Sequence, residues 1–281
     1  TFTTTMLLSN VFPAGAAEGN VPTYLNSRAS VEDRVKDLLG RMTLEQKVAQ
    51  MVQGERKATT TEDVKNYQLG SVLSGGGSLP ANNTAEGWAD MIDAYQDAAV
   101  SSELKIPILY GVDAVHGHNN VYGATIFPHN IGLGATGNEQ LVEKVGQAVA
   151  KEVRATGVNW TFAPTLGIPH NERWGRTYEA FGENTELVAK MGKAYIKGLQ
   201  GENPDRTLKR DDKVIATAKH YIGEGLTQNG TNQGNVVISE EDFQKALKGE
   251  LLPPYKAAVD AGVRSVMVSY NSINGVKCHA N

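Results

Sequence analysis

Five apolar runs, each followed by a polar or glycine-rich loop and separated from the next by helical periodicity, constrain this 281-residue chain more than any other feature. The runs are residues 69–73, 106–112, 158–162, 214–218 and 263–270. Short stretches of this kind form strands buried on both faces. The helical patterns cover residues 31–51, 85–101, 139–155, 185–199 and 240–261. The first opens after Ser30 with Val31, Val35, Leu38 and Leu39 at helix spacing, and Thr43 with Gln46 forms a capping box that restarts it after Gly40. Ser239 caps the last helix and places Glu241 and Asp242 in its first turn. This βαβα alternation specifies an α/β fold with a parallel sheet under helical cover.

Two closures of such a sheet compete, an open doubly wound sheet and a barrel. No Gly-x-Gly-x-x-Gly follows a strand and no Walker phosphate loop is present. The polar residues that look functional sit instead at the C-terminal ends of several different strands, the arrangement of a barrel. Only five strands are readable against the eight a closed barrel needs. A complete barrel is therefore not evident from the residues alone. Residues 1–29 are read as an N-terminal arm, and residues 30–281 as the first five or so strand-helix units.

Composition excludes several classes. A net charge of -4, without Lys/Arg clusters interleaved with aromatics, gives no field for nucleic acid. The single cysteine, Cys278, permits no internal disulfide and is read as structural or incidental. No apolar stretch reaches the roughly 18 residues that span a membrane. The first 19 residues carry short apolar pieces without a basic segment; an irregular arm is expected there, with the worn end of an export signal as the alternative.

The strand ends carry the chemistry. Asp113 directly follows the second run, in a loop kept polar by His116, His118, Asn119 and Asn120. A carboxylate there can accept hydroxyl hydrogen bonds, act as a base or hold a cation; capping its own loop is the alternative. The His-x-His pair raises a metal site, but no third ligand stands at a convincing spacing, and no metal or cofactor is expected. Arg176 lies in a charged, aromatic loop with Glu172, Arg173, Trp174 and Glu179, where some of the charges neutralise one another. Its guanidinium fork suits hydroxyls or a carboxylate, and Trp174 offers an apolar face for a sugar ring. Lys219 and His220 close the fourth run with an ammonium and an imidazole, and Tyr270 ends the fifth with a hydroxyl and a ring. One acid, several fixed donors and aromatic surfaces suit a neutral, hydroxyl-rich ligand such as a sugar. Acid/base sugar chemistry needs two carboxylates, roughly 5–5.5 Å apart for retention. Glu172, Glu179, Glu183 and Glu224 lie in these loops, and spacing alone assigns no pair among them.

Six stretches, in order along the chain, resemble the motifs of glycoside hydrolase family 3, the β-glucosidase and exo-β-glucanase group. They cover residues 41–47 (RMTLEQK), 111–117 (GVDAVHG), 127–133 (FPHNIGL), 174–179 (WGRTYE), 218–221 (AKHY) and 269–275 (SYNSING). The resemblance implies an α/β fold class, the N-terminal (β/α)8 TIM-barrel-like domain of that family, incomplete in this chain. It also implies that Asp113, Arg176, Lys219, His220 and Tyr270 hold the non-reducing-end glucosyl unit. The family's reaction is retaining hydrolysis, with an aspartate nucleophile in a Ser-Asp-Trp-like motif at the next strand end and a glutamate acid/base from a second domain. Both are expected beyond Asn281, so the chain alone is expected to be inactive, with a further stretch or a second chain supplying them. The expected ligand is a β-glucan, oligosaccharide or glucoside, and the expected location is secreted or periplasmic because polymeric glucan is extracellular. A non-catalytic carbohydrate-binding or split-enzyme barrel module is an alternative. A β-N-acetylhexosaminidase is another; that branch carries Lys-His-Phe-Pro-Gly-His-Gly, however, and the segment here, residues 219–225, reads KHYIGEG with no second histidine. Residues 226–235 also depart from the usual glucosidase pattern, which leaves linkage preference open.

Overall fold

The computed structural model describes residues 21–281, so most of the expected N-terminal arm lies outside the described residues. The chain divides between Val48 and Ala49 into two compact units. In the first, a 3-10 turn at Thr23–Leu25 is tied to helix α1 (Val31–Arg41). The Tyr24 amide donates to Asp37 Oδ2 (3.0 Å), and Arg34 Nε donates to the Tyr24 carbonyl (2.9 Å). Ser30 caps α1 by accepting from the Asp33 amide. The single helix expected over residues 31–51 breaks at the extended Met42 and restarts as α2 (Leu44–Ala49). Both bonds of the Thr43/Gln46 capping box form, at 3.2 and 2.9 Å.

The second unit holds the sheet. Strands β1 (Gln53–Glu55), β2 (Ser71–Ser74), β3 (Leu109–Val112) and β4 (Trp160–Thr161) pair in parallel and in chain order. Strand β5 (Thr217–Tyr221) continues the arc through parallel bridges between Trp160 and Ile215 and between Thr165 and Lys219. After the short β6 (Asn235–Val236), strand β7 (Ser265–Val268) pairs in parallel with β5. β6 instead forms a small separate sheet with β8 (Ser272–Ile273) and β9 (Val276–Lys277). Strand order around the arc never reverses, whereas a doubly wound sheet reverses at its switch point. The winding is that of a barrel, with no closure of the sheet among the described residues.

Two expectations need correction. The arc has six strands where five were expected, because β1 is three half-buried residues, Gln-Gly-Glu, with no apolar signature. The fourth run marks a strand three residues too early. β5 runs from Thr217 through Tyr221, so Lys219 and His220 lie within the strand's last residues, 2% and 7% exposed.

The helical cover follows the periodicity closely. α3 (Thr61–Tyr67) precedes α4 (Ala85–Val100); α5 (Asn130–Ala135), α6 (Glu139–Ala155), α7 (Thr185–Gln200) and the single turn α8 (Pro204–Thr207) follow. The segment expected as one helix over 240–261 is α9 (Glu240–Ala246), a π-helical turn at Leu247–Leu251, and α10 (Leu252–Asp260). Pro253 and Pro254 have no amide to donate, and the helix widens just ahead of them. Helix α7 packs between α6 and α10. The core is fully buried at Trp88, Ile92, Val149, Val153, Ile196 and Leu199. Among the described residues, no helix is long and apolar enough to cross a membrane.

The caps give one modest prediction. Thr84 accepts from the Gly87 amide at 3.2 Å to start α4, whose Trp88 is wholly buried. Thr84→Ala is expected to lower stability by about 1 kcal/mol, read as a small drop in the unfolding midpoint with unchanged far-UV dichroism.

Candidate functional site

The end of β3, the loop after β4 and the last residues of β5 meet at one polar cluster. Asp113 follows Val112 directly, and its carboxylate accepts from Lys219 Nζ at 2.9 Å. The two side chains differ sharply in exposure, 37% for Asp113 and 3% for Lys219. The ammonium is therefore enclosed, and the aspartate supplies the counter-charge that makes its burial tolerable. The open oxygens of Asp113 remain acceptors toward solvent or a ligand.

Arg176 caps a 3-10 turn at Thr177–Glu179. Its Nε and Nη2 donate to the two Glu179 oxygens, both at 2.8 Å, a fork-on-carboxylate pair. Thr165 Oγ1 donates to Glu179 Oε2 at 3.3 Å. Arg176 Nη2 also meets His220 Nε2 at 3.0 Å, while His220 Nδ1 lies 2.9 Å from Glu224 Oε1. Four of the five residues expected to bind sugar are thus in one cluster, since Lys219 and His220 are neighbours on β5.

Electrostatics tie the cluster together. Burial pushes the Glu179 carboxyl upward, but the hydrogen bonds and charge of Arg176, with the charge of Lys219, outweigh it and hold the group below the usual carboxylate range. Burial likewise works to lower Arg176, but the Glu179 bond and the fields of Glu179, Glu224 and Asp113 raise it above its ordinary value. A carboxyl with a depressed folded-state pKa stabilises the fold above its unfolded value, about 4.3, and loses that contribution as pH falls through the folded value. Wild type is therefore expected to lose thermal stability below about pH 4 more steeply than Glu179→Gln, checked by melting curves across acid pH.

Tyr270 stands apart from the other four. It is 62% exposed, and its ring stacks on His279 with centroids 5.5 Å apart. Trp174 corrects another expectation: at 1% exposure it is a core side chain and offers no face to a sugar. The His-x-His pair diverges. His118 is fully buried, edge-on to Trp88 and bonded to Thr156 Oγ1, and burial pushes its pKa down to about 4. His116 donates from Nδ1 to the Phe127 carbonyl and packs on His129, with ring centroids 4.0 Å apart. Glu172 is exposed, and Glu183 lines a groove with Glu186 and Asp242.

The expectation that spacing assigns no carboxylate pair has a structural reason. Asp113, Glu179 and Glu224 are each bonded to a lysine, arginine or histidine of the cluster. The sequence did carry a signal for two of these contacts, since Glu179 lies three residues after Arg176 and Glu224 four after His220.

Comparisons with known proteins bear on the family and the fold. The family model described as the glycosyl hydrolase family 3 N terminal domain matches residues 43–281. The lysosomal beta glucosidase of Dictyostelium discoideum is 34% identical over 97% of this chain and 35% of its own length. The periplasmic beta-glucosidase of Salmonella typhimurium is 33% identical over 92% of the chain and 31% of its own. Among solved structures, the exo-1,3/1,4-beta-glucanase of a Pseudoalteromonas species superposes with a TM-score of 0.80 at 43% identity, over 88% of this chain and 31% of that one. The chain spans about a third of the length of these relatives.

Proposed function

The chain belongs to the glycosyl hydrolase family 3 N terminal domain family, and from that premise we propose that it supplies most of the glucosyl-binding subsite of a retaining, exo-acting β-glucosidase or exo-β-glucanase. The observation that carries the reading is the single cluster of Asp113, Lys219, Arg176 and His220 at neighbouring strand ends. Sugar hydroxyls both donate and accept, and this cluster offers a half-open carboxylate beside cationic donors. Tyr270, just beyond the end of β7, is included in the subsite on family membership alone; its exposed ring stacks on His279. Substrate preference follows the relatives' named activities on β-glucosides and 1,3/1,4-β-glucan.

The bond-breaking groups are assigned to a part of the enzyme outside these residues. Glu179 and Glu224 are held by Arg176 and His220, and the half-open Asp113 beside Lys219 is read as an acceptor of sugar hydroxyls rather than as the nucleophile. Its two bonds to Arg176 and its own depressed pKa make Glu179 a poor general acid. Residues 30–281 therefore work as the first strand-helix units of a longer catalytic domain, completed by further chain or by a second chain. Periplasmic relatives support a secreted or periplasmic location.

The test compares two proteins. The full-length enzyme is expected to release glucose one unit at a time from β-glucan, with the β-anomer appearing first in proton NMR. The 281 residues alone are expected to give no turnover of an aryl β-glucoside. Turnover by the short chain, or initial α-glucose from the long one, would overturn the assignment.

A further inference from the structure

We infer that Glu224 is a positioning residue that fixes His220 as its Nδ1–H tautomer, so that Nε2 accepts from Arg176 and holds that guanidinium for the sugar. This rests on the reading of Arg176 and His220 as parts of the sugar site. A guanidinium carries five donors and no acceptor. Its 3.0 Å contact with Nε2 is therefore a hydrogen bond only if Nε2 holds a lone pair. A neutral imidazole has one N–H, which must then sit on Nδ1. Glu224 Oε1 lies 2.9 Å from Nδ1, and the same oxygen accepts from the His220 backbone amide at 3.3 Å. The carboxylate thus takes the ring proton and the main-chain proton of one residue, which fixes both tautomer and ring orientation.

The surroundings permit little else. The His220 and Glu224 side chains are 8% and 5% exposed, so water competes weakly for either. Gly167 lies against the carboxylate, and a Cβ there would stand 2.6 Å from Oε1. Protonating Nε2 would set two donors face to face across the Arg176 contact. The outcome for a ligand follows from donor counting. Lys219 and Arg176 can only donate, and ionised Asp113 can only accept. The single lone pair of Nε2 is taken by Arg176 Nη2, so His220 acts by holding the guanidinium, whose further N–H groups remain to donate to a hydroxyl. A hydroxyl meeting this corner accepts from an arginine whose place depends on the His220 tautomer. A sugar lacking that hydroxyl forfeits the arginine bond.

The test uses the full-length enzyme with aryl β-glucoside and its four monodeoxy analogues. Glu224→Ala is expected to lower kcat/KM on the parent glucoside roughly 10- to 100-fold, the range for loss of a carboxylate that orients an imidazole. One deoxy analogue is expected to lose far less, because the hydroxyl bound by the Arg176 that His220 holds is already gone from it. Glu224→Gln, whose amide oxygen still accepts from Nδ1–H, is expected to recover activity to within several-fold of wild type. Nitrogen NMR of histidine-labelled enzyme, with His220 assigned by its substitution, is expected to show Nδ1 protonated in wild type and not in Glu224→Ala. An equal loss on all five substrates would mark Glu224 as merely structural, and no loss, or a wild-type spectrum with Nε2 protonated, would overturn the inference. Should the alanine variant fail to fold, Glu224→Asp, which retracts the carboxylate by one methylene, makes the same comparison. A wild type unable to hydrolyse the parent glucoside would sink the sugar reading, and the NMR result would still decide the tautomer.

Discussion

Asp113→Ala in the full-length enzyme is expected to lower kcat/KM on aryl β-glucosides by about 100- to 1,000-fold, the usual cost of removing one fixed polar contact to a reacting substrate. Two effects combine. The half-open carboxylate is the acceptor for ligand hydroxyls, and its loss leaves Lys219 buried with no counter-charge. Breaking a buried pair costs about 3–5 kcal/mol; because Asp113 is 37% exposed, solvent screening brings the stability cost nearer to about 2 kcal/mol. A double substitution separates the two effects. Adding Lys219→Met to Asp113→Ala removes the stranded ammonium, so the melting temperature should recover partly while activity stays low. Recovery of activity together with stability would show that Asp113 serves only the fold.

The second large effect is expected from Gly225→Ala. A Cβ at this position would lie 1.9 Å from the Ile168 carbonyl oxygen and 2.7 Å from its carbon, both backbone atoms that no rotamer change can move aside. The Gly225 carbonyl also accepts from the His170 amide at 3.1 Å, so the turn after β5 is joined here to the loop after β4. The collision must push the two segments apart, at about 3 kcal/mol. Glu224 is the adjacent residue and would move with the turn, away from His220. Lower thermal stability and weaker glucoside hydrolysis are both expected. Gly249→Ala provides the control, since a Cβ there meets nothing within 4 Å. Equal behaviour of the two variants would contradict the close approach of the loops.

Particular residues explain why some of this was legible beforehand. Helices α6 and α7 carry long amphipathic repeats and clear caps, and their expected and observed limits agree within a residue. β1 escaped notice because Gln53, Gly54 and Glu55 carry no apolar pattern; parallel pairing with Ser71, Val72 and Leu73 makes them a strand. Trp174 was misread for a different reason. An aromatic flanked by charges looks like a surface platform, but its burial is decided by the fold of the loop, where Gly230 comes up against its backbone.

The α/β alternation, the caps and the identity of four residues that meet in the cluster were all readable from the chain, because periodicity, capping and residue chemistry act over a few positions. Which of them partners which was set by the assembled fold alone. Asp113 and Lys219 are separated by 106 positions and Arg176 and His220 by 44, and no local pattern encodes such contacts. Parallel pairing of β3, β4 and β5 brings them within hydrogen-bond reach, and burial in that arc is what makes each charge depend on its neighbour.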